Sequence, residues 1–436
     1  MIFSIPLMLT NLLQVFFNLA DVAVVGKFAG PIALGAVGST TILCSLTSSF
    51  LVGMSSGINA LTARYIGADD RDSESKVIHT GFIICAITGL GIMAGFILLS
   101  RPILTALGTK PELMDQALIY FRLYMLGSPA VALYNHGNAV LSAAGDTRRP
   151  LVILSLAGFI NVILNLVFVL LLGMNADGVA IASIIAQYIS CVLITRVLLT
   201  SSDHFRLVPA CIKLDKNMAG RILAISLPSA IQYSMFAIAN LFVQSAVNSF
   251  DHVTVEGNSA AMNADPIVYD MMTAFYTAST SFIAQNYGAG KMDRVRQTYL
   301  VTTVYSFGLG LILGLVFHFY DTQFLLLFTS DTGVITQGSI RLGIISLSYC
   351  LSAFMDNSIY AARGLGRTRV PMIIIILGAV VLRISWIFTI FAYFKTLQSL
   401  YLLYACSFTF TGILGNIYLL YAYRQAASEL NSSASV

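Results

Sequence analysis

Twelve times along this chain a run of twenty or more residues passes with almost nothing in it that water could hold, and few folds are open to such a sequence. Crossing a hydrocarbon core of about 30 Å takes about 20 apolar residues at a rise of about 1.5 Å each. Stretches that qualify run approximately from 2 to 27, 32 to 61, 77 to 100, 117 to 141, 150 to 173, 177 to 199, 219 to 250, 255 to 284, 298 to 320, 335 to 362, 371 to 394 and 398 to 423. Within lipid, each segment must pair its own backbone N–H and C=O groups, so the twelve are expected as helices. Composition agrees: 57% of the 436 residues are hydrophobic and 10% are charged, where a water-soluble chain carries about 25% charged residues. The chain reads as an all-α integral membrane protein whose solvent is a lipid bilayer.

Connections are short. The longest polar one, "SSDHFRLVPACIKLDKNMAGR" at 201–221, separates an N-terminal six-helix bundle, 1–200, from a C-terminal six-helix bundle with a short cytoplasmic tail, 219–436, leaving 201–218 as a cytoplasmic linker. Of the 24 basic residues, seventeen fall after even-numbered spans and six on the opposite side, with Arg383 alone in mid-span. Lys and Arg favour cytoplasmic loops, so both termini are expected in the cytoplasm and the chain in the inner (plasma) membrane. A net charge of +4 follows from that bias and implies no nucleic-acid partner. The first span is too long, and lacks the preceding basic region, to be a cleaved signal peptide. The six cysteines form no CxxC and read as small packing residues. The five histidines are scattered, which suggests neither a metal site nor a hydrolase triad, and no enzyme signature is found.

The chain repeats itself. "GDTRRP" at 145–150 and "GRTRVP" at 366–371 lie 221 positions apart, as do "ARYIGADDRD" at 63–72 and "AQNYGAGKMD" at 284–293; Pro6 and Pro228, and Asn18 and Asn240, lie 222 apart. With six spans per repeat, both halves enter the membrane from the same side, so a pseudo-two-fold axis runs along the membrane normal. Two such bundles suit rocking around a central site, and alternating access is the usual use of that architecture.

Chemistry is expected where an expensive residue sits in a span. An Asp at a helix centre costs roughly 2.5 to 3.5 kcal/mol on insertion scales, and the spans hold Asp21, Asp265, Asp270 and Asp356. Asp21 shares a helical stripe with Asn18 and Gln14, and the seventh span offers Gln232, Asn240, Gln244 and Asn248. Such stripes must face protein or a water-filled cleft. A carboxylate there can be neutralised by a proton, a cation or an organic base, and low-dielectric surroundings favour the neutral form of any carboxyl. Alternatively, Asp21 only hydrogen-bonds neighbouring helices. Asp265, beside Pro266, is expected at a helix bend with either a structural or a functional role. Asp356 and Arg383 are expected as an internal ion pair. The glycine runs "GMSSG" at 53–57, "GLGIMAG" at 89–95 and "GLGLILG" at 308–314 read as close helix packing rather than phosphate loops.

"IPLMLTNLLQVFFNLADVAVVGKF", "AVLSAAGDTRRP", "QNYGAGKMDRV" and "MDNSIYAARGLGRTRVP" together resemble the multidrug and toxic compound extrusion (MATE) family of cation-coupled antiporters, nearest its bacterial DinF-like members. The resemblance covers essentially the whole chain. It implies two six-helix bundles that export amphipathic, often cationic compounds in exchange for H⁺ or Na⁺. It implies that Asp21 is the first-helix acid whose protonation is linked to substrate release, that Pro6 is the proline at which that helix bends, and that Gln14 lies on the same polar stripe. It places Asn161 and Asn165 where the family has Asn then Asp, and Ser183 where it has a hydroxyl. The departure at Asn165 removes half the formal countercharge a sodium ion would meet, whereas Asp21 alone suffices for proton exchange.

The sequence therefore predicts a proton-coupled multidrug antiporter. Its partners are small-molecule drugs or toxic metabolites and the bilayer; it needs no cofactor beyond H⁺ (or Na⁺) and is expected as a monomer. Second-lobe candidates are Gln232, Asn240, Asp265, Asp356 and Arg383. The competing reading is a flippase for lipid-linked oligosaccharide or peptidoglycan precursors, which would need basic residues in its cleft to meet a pyrophosphate.

Overall fold

A computed structural model describes residues 2–434, and among these all regular structure is helical. In chain order the helices are α1 (Ser4–Val24), α2 (Gly30–Gly67), α3 (Arg71–Ala106), α4 (Pro111–Leu126), α5 (Ser128–Ala143), α6 (Arg148–Leu166), α7 (Ala176–Thr200), α8 (Lys216–Val247), α9 (His252–Ala261), α10 (Ala264–Gly288), α11 (Met292–Phe319), α12 (Asp321–Leu325), α13 (Thr332–Gly364), α14 (Arg369–Ile375), α15 (Leu382–Trp386), α16 (Ala392–Phe394) and α17 (Leu397–Ala434). Eleven of the described stretches are long and apolar enough to cross a membrane. The protein is a multi-pass membrane protein. The stretch expected at 255–284 is different: it is α9 followed by α10, with a break at Met262–Asn263. Asn258, Asn263, Asp265 and Asp270 crowd this region, and Pro266 falls in the first turn of α10, where its missing N–H leaves no bond unmade. The bend expected at Pro266 is thus a helix start.

Helix starts follow capping chemistry. The side chains of Asp70, Asp251 and Asp331 accept from backbone N–H groups of the following turn, satisfying donors that a helix leaves unpaired. At Asp70 the Ser73 side chain and then its N–H hold the carboxyl below the usual carboxylate range. A lowered value means the cap stabilises α3 above the unfolded carboxyl's pKa of about 3.9, and the contribution is lost as pH falls through the folded value.

The chain forms two compact units, 1–234 and 235–436, which divide within α8. The core of the first joins Leu51, Met54 and Ile58 of α2, Val77 and Ile78 of α3 and Ile194 of α7 to Ile222 and Ile225 of α8. Part of the second gathers Ile283, Tyr287, Ala361, Ala362 and Ala422. In the first unit, α8 seats on α2 through the glycines of "GMSSG". A Cβ on Gly53 would lie 2.4 Å from the Ala230 Cα, and one on Gly57 would lie 2.7 Å from the Ser226 nitrogen. Neither backbone can yield alone, so Gly53→Ala is expected to cost about 1–3 kcal/mol by overpacking. Gly91→Ala and Gly95→Ala, which meet nothing within 4 Å, should be neutral or gain up to about 1 kcal/mol from helix propensity. Thermal unfolding in detergent reads this difference, and equal melting temperatures for Gly53→Ala and Gly91→Ala would contradict it.

Candidate functional site

Three helices of the first unit, α1, α6 and α7, bring four polar side chains together. Gly158 of α6 lies under the Phe17 ring of α1, where a Cβ would come within 1.8 Å of the ring. That seat sets α1 against α6 so that Asp21 falls opposite Asn161 and Asn165, which share a face at i and i+4. Asn165 Nδ2 donates to Asp21 Oδ1 at 2.5 Å and to Asn161 Oδ1 at 3.3 Å. Asn161 Nδ2 donates to Ser183 Oγ on α7 at 3.3 Å, and that hydroxyl donates to Asp21 Oδ2 at 3.3 Å. The result is a closed ring of four side chains in which the carboxylate only accepts. Asn161, Asn165 and Ser183 are buried, and Asp21 is half-buried. The Asn165 Oδ1 is buried without a hydrogen-bond partner among the described residues.

Asp21, Asn161 and Ser183 of the ring form part of the wall of a cavity of ≈ 250 Å³, whose lining includes Gln14, Asn18, Asn135, Tyr124, Tyr134 and Gln187. Its polar lining groups are amides, hydroxyls and one acid, with apolar Phe17, Val52, Val131 and Leu154 between them. Among the described residues, no Lys, Arg or His lines it. Such a chamber can hold a compact amphipathic solute. Beyond the ring, α1 and α6 both pass into π-helical turns, Val25–Ala29 and Val167–Leu171, a feature that recurs at functional sites. Pro6 stands in the first turn of α1, far from the ring, and the helix runs on unbroken from it to Val24. A proline in a first turn interrupts no helical bond.

Of the second-lobe candidates, Asn240 and Arg383 meet in one hydrogen bond. Gln232 is buried in the part of α8 that belongs to the first unit. Asp265 is held by Arg341, whose Nη2 and Nη1 donate at 2.7 and 3.3 Å, and by the Tyr349 hydroxyl at 2.5 Å. The expected pair of Asp356 with Arg383 does not form among the described residues. Instead, Arg383 donates to Asn240 Oδ1 at 2.9 Å and Ser407 Oγ at 3.4 Å, and lies 4.7 Å over the Tyr404 ring. The guanidinium's weakly hydrated planar face accounts for the preference for an aromatic wall. Asp356 is half-buried on α13. Arg341, counted from sequence among the outer basic residues, is instead 1% exposed inside α13, a second intramembrane base that the loop count conceals.

A polar solute-sized chamber carrying one acid, set inside a bundle of membrane-crossing helices, defines a multi-pass membrane protein of the carrier class. The MatE family description matches residues 6–167 and 225–389, and the chain belongs to that family, whose members are transporters and not enzymes. It is 23% identical over 403 residues to the "Probable multidrug resistance protein NorM" of Thermotoga maritima, covering 90% of this chain and 85% of that one. It is 24% identical over 352 residues to the "FAD transporter" of Shewanella oneidensis, covering 79% and 77%. Among solved structures it is similar to a crystal structure of MATE in the bent conformation, with a TM-score of 0.89 at 22% identity over 99% of this chain and 96% of that one.

Proposed function

We propose that the chain is a proton-coupled multidrug efflux antiporter exporting amphipathic or cationic small molecules by alternating access. It would act as a monomer in the inner membrane, with both termini in the cytoplasm and H⁺ as the coupling ion. The observation that carries this reading is the ring around Asp21. Asn165 Nδ2 and the Ser183 hydroxyl donate to the two carboxylate oxygens, so at Asn165 the carboxylate meets an amide N–H where a second acid would offer a sodium ion a further anionic oxygen. A proton on the same carboxyl competes with those donors and with a cationic ligand, so solute and proton exclude one another.

The solute class follows from the same wall. An acid with no base beside it suits a cation, and apolar surface between the amides suits a hydrophobic body. The relative named as an FAD transporter handles an acidic dinucleotide, for which the described lining of this chamber offers no basic partner. The flippase reading calls for Arg383 projecting alone into a cleft. Instead its side chain is 2% exposed and is held by Asn240, Ser407 and Tyr404.

The test is ethidium export by proteoliposomes under separately imposed gradients. Export driven by a proton gradient and indifferent to sodium is the expected result. Export driven by sodium alone would overturn the coupling reading, and no export of ethidium or other organic cations under either gradient would overturn the function.

A further inference from the structure

The connection between α7 and α8 lies along the first unit as a strap. Phe205 is 6% and Leu207 is 1% exposed, both inside the first unit's core. Polar clasps tie the rest of it to the N-terminal turns of α3. Glu74, buried, receives His204 Nδ1 at 2.6 Å on one oxygen and Arg71 Nη1 at 3.0 Å on the other. The Val208 N–H donates to His79 Nε2 at 2.9 Å, and Asp215 N–H donates to the Thr80 hydroxyl at 3.3 Å. His79 Nδ1 lies 2.7 Å from the Ser75 carbonyl. A carbonyl only accepts, so Nδ1 carries the proton and Nε2 presents a bare lone pair to Val208.

We propose that this strap is a pH-sensitive clasp, docked at Val208 while His79 is neutral and released there when His79 takes up a second proton. Protonated His79 has an N–H at Nε2 facing the Val208 N–H, so two donors meet and the bond is lost. His204 responds in the opposite sense: its added charge strengthens its contact with Glu74. Acid therefore frees the Val208 end while the His204 end stays anchored, and the Leu207 seat between them becomes the moving part. Other charged and titratable groups at this end include Asp70 before α3, Asp72 and Lys76 on α3, Arg64 and Tyr65 on α2, His136 on α5, Asp203, Arg206, Lys213 and Asp215 on the strap, and Lys216 and Arg221 on α8. Of these, His136 binds the Ile78 carbonyl at 3.0 Å and Arg221 the Tyr65 hydroxyl at 2.8 Å, so neither substitutes for the Val208 contact. The clasp acts on the strap leading directly into α8, whose first half packs against α2, and it is independent of the chemistry at Asp21.

Hydrogen–deuterium exchange of the full chain in detergent tests this without any transport readout. After correction for the intrinsic pH dependence of exchange, peptides spanning 204–212 should lose protection about tenfold between pH 7.5 and 5.5, the order expected for one hydrogen bond. His79→Gln keeps a carbonyl acceptor for Val208 and an N–H for Ser75 but does not titrate, so its protection should not change with pH. His204→Gln should retain the pH dependence. Protection in the native chain that is unchanged between the two pH values, or a pH dependence that survives in His79→Gln, overturns the proposal. His79→Asn serves as the second variant if the glutamine form does not fold, and it should likewise lack the pH dependence.

Discussion

Asp21→Asn is expected to uncouple export from the proton gradient while leaving the fold intact. Asparagine is nearly isosteric with the carboxyl, and its Oδ1 can still accept the Asn165 amide while its Nδ2 faces the Ser183 hydroxyl. The ring therefore survives in outline, and thermal unfolding should stay close to that of the native chain. What disappears is the only acid lining the chamber among the described residues, and with it the group that binds a proton in one state and a cationic solute in another. A coupling ion shifts a conformational equilibrium only by its differential affinity for the two states. With that difference gone, export should fall at least about tenfold, equivalent to about 1.4 kcal/mol or more, and the residual transport should lose its pH dependence. Solute flux is measured with and without an imposed proton gradient. Gradient-dependent export by Asp21→Asn would remove this residue from the mechanism.

Arg341→Met is expected to destabilise the second unit strongly. Among the described residues it leaves Asp265 facing only the Tyr349 hydroxyl, at a site where the carboxylate is 22% exposed. Removing one partner of a buried pair costs about 3–5 kcal/mol, and the partial exposure of Asp265 places the loss toward the lower end. Replacing both partners, Arg341→Met with Asp265→Leu, should recover much of the loss, because no uncompensated charge then remains. Unfolding of the single and double variants forms a double-mutant cycle whose coupling should be large. Additive losses would mean that the pair contributes no joint stabilisation.

The two units differ in how much of their polar chemistry a sequence discloses. The Asp21 ring is legible because each part leaves a local trace: an acid in a greasy run, two amides four positions apart, and a resemblance that points to Ser183. In the second unit Asp265 leaves such a trace as an acid in a span, but its partner Arg341 does not; the two are 76 positions apart and are joined by the packing of α10 on α13. Basic residues near span ends read as loop residues, so a buried arginine in the third turn of α13 falls on the wrong side of a loop count. Arg383 is recognisable as an intramembrane base, but charge alone points to a carboxylate partner where the structure supplies an amide and aromatic rings. Hydrogen-bond donors can be satisfied by many residue types, and charge pairing does not decide among them. The repeat itself is readable, yet its halves have diverged in charge. Asn18 and Asn240, equivalent by the repeat, stand respectively beside the acid of the first unit and against the Arg383 base of the second.

Helix boundaries follow hydropathy except where a span is broken in two, at Gly127 between α4 and α5 and at Met262–Asn263 between α9 and α10. Asn263 and Pro266 mark the start of α10, and the apolar residues on either side give no warning of the interruption. The connection at 201–215 is visible in sequence only as a polar stretch. Its docking depends on His79, His204 and Glu74 meeting across about 130 positions, a distance over which histidines look merely scattered.

In the proposed mechanism a cationic solute and a proton compete for Asp21. Proton release on solute binding reads that competition directly, measured in weakly buffered detergent solution at a pH where the carboxyl is protonated before the solute arrives. Addition of ethidium should release protons from the native chain and none from Asp21→Asn. Binding of ethidium to the native chain without proton release, at any pH across the range in which transport is active, would contradict it.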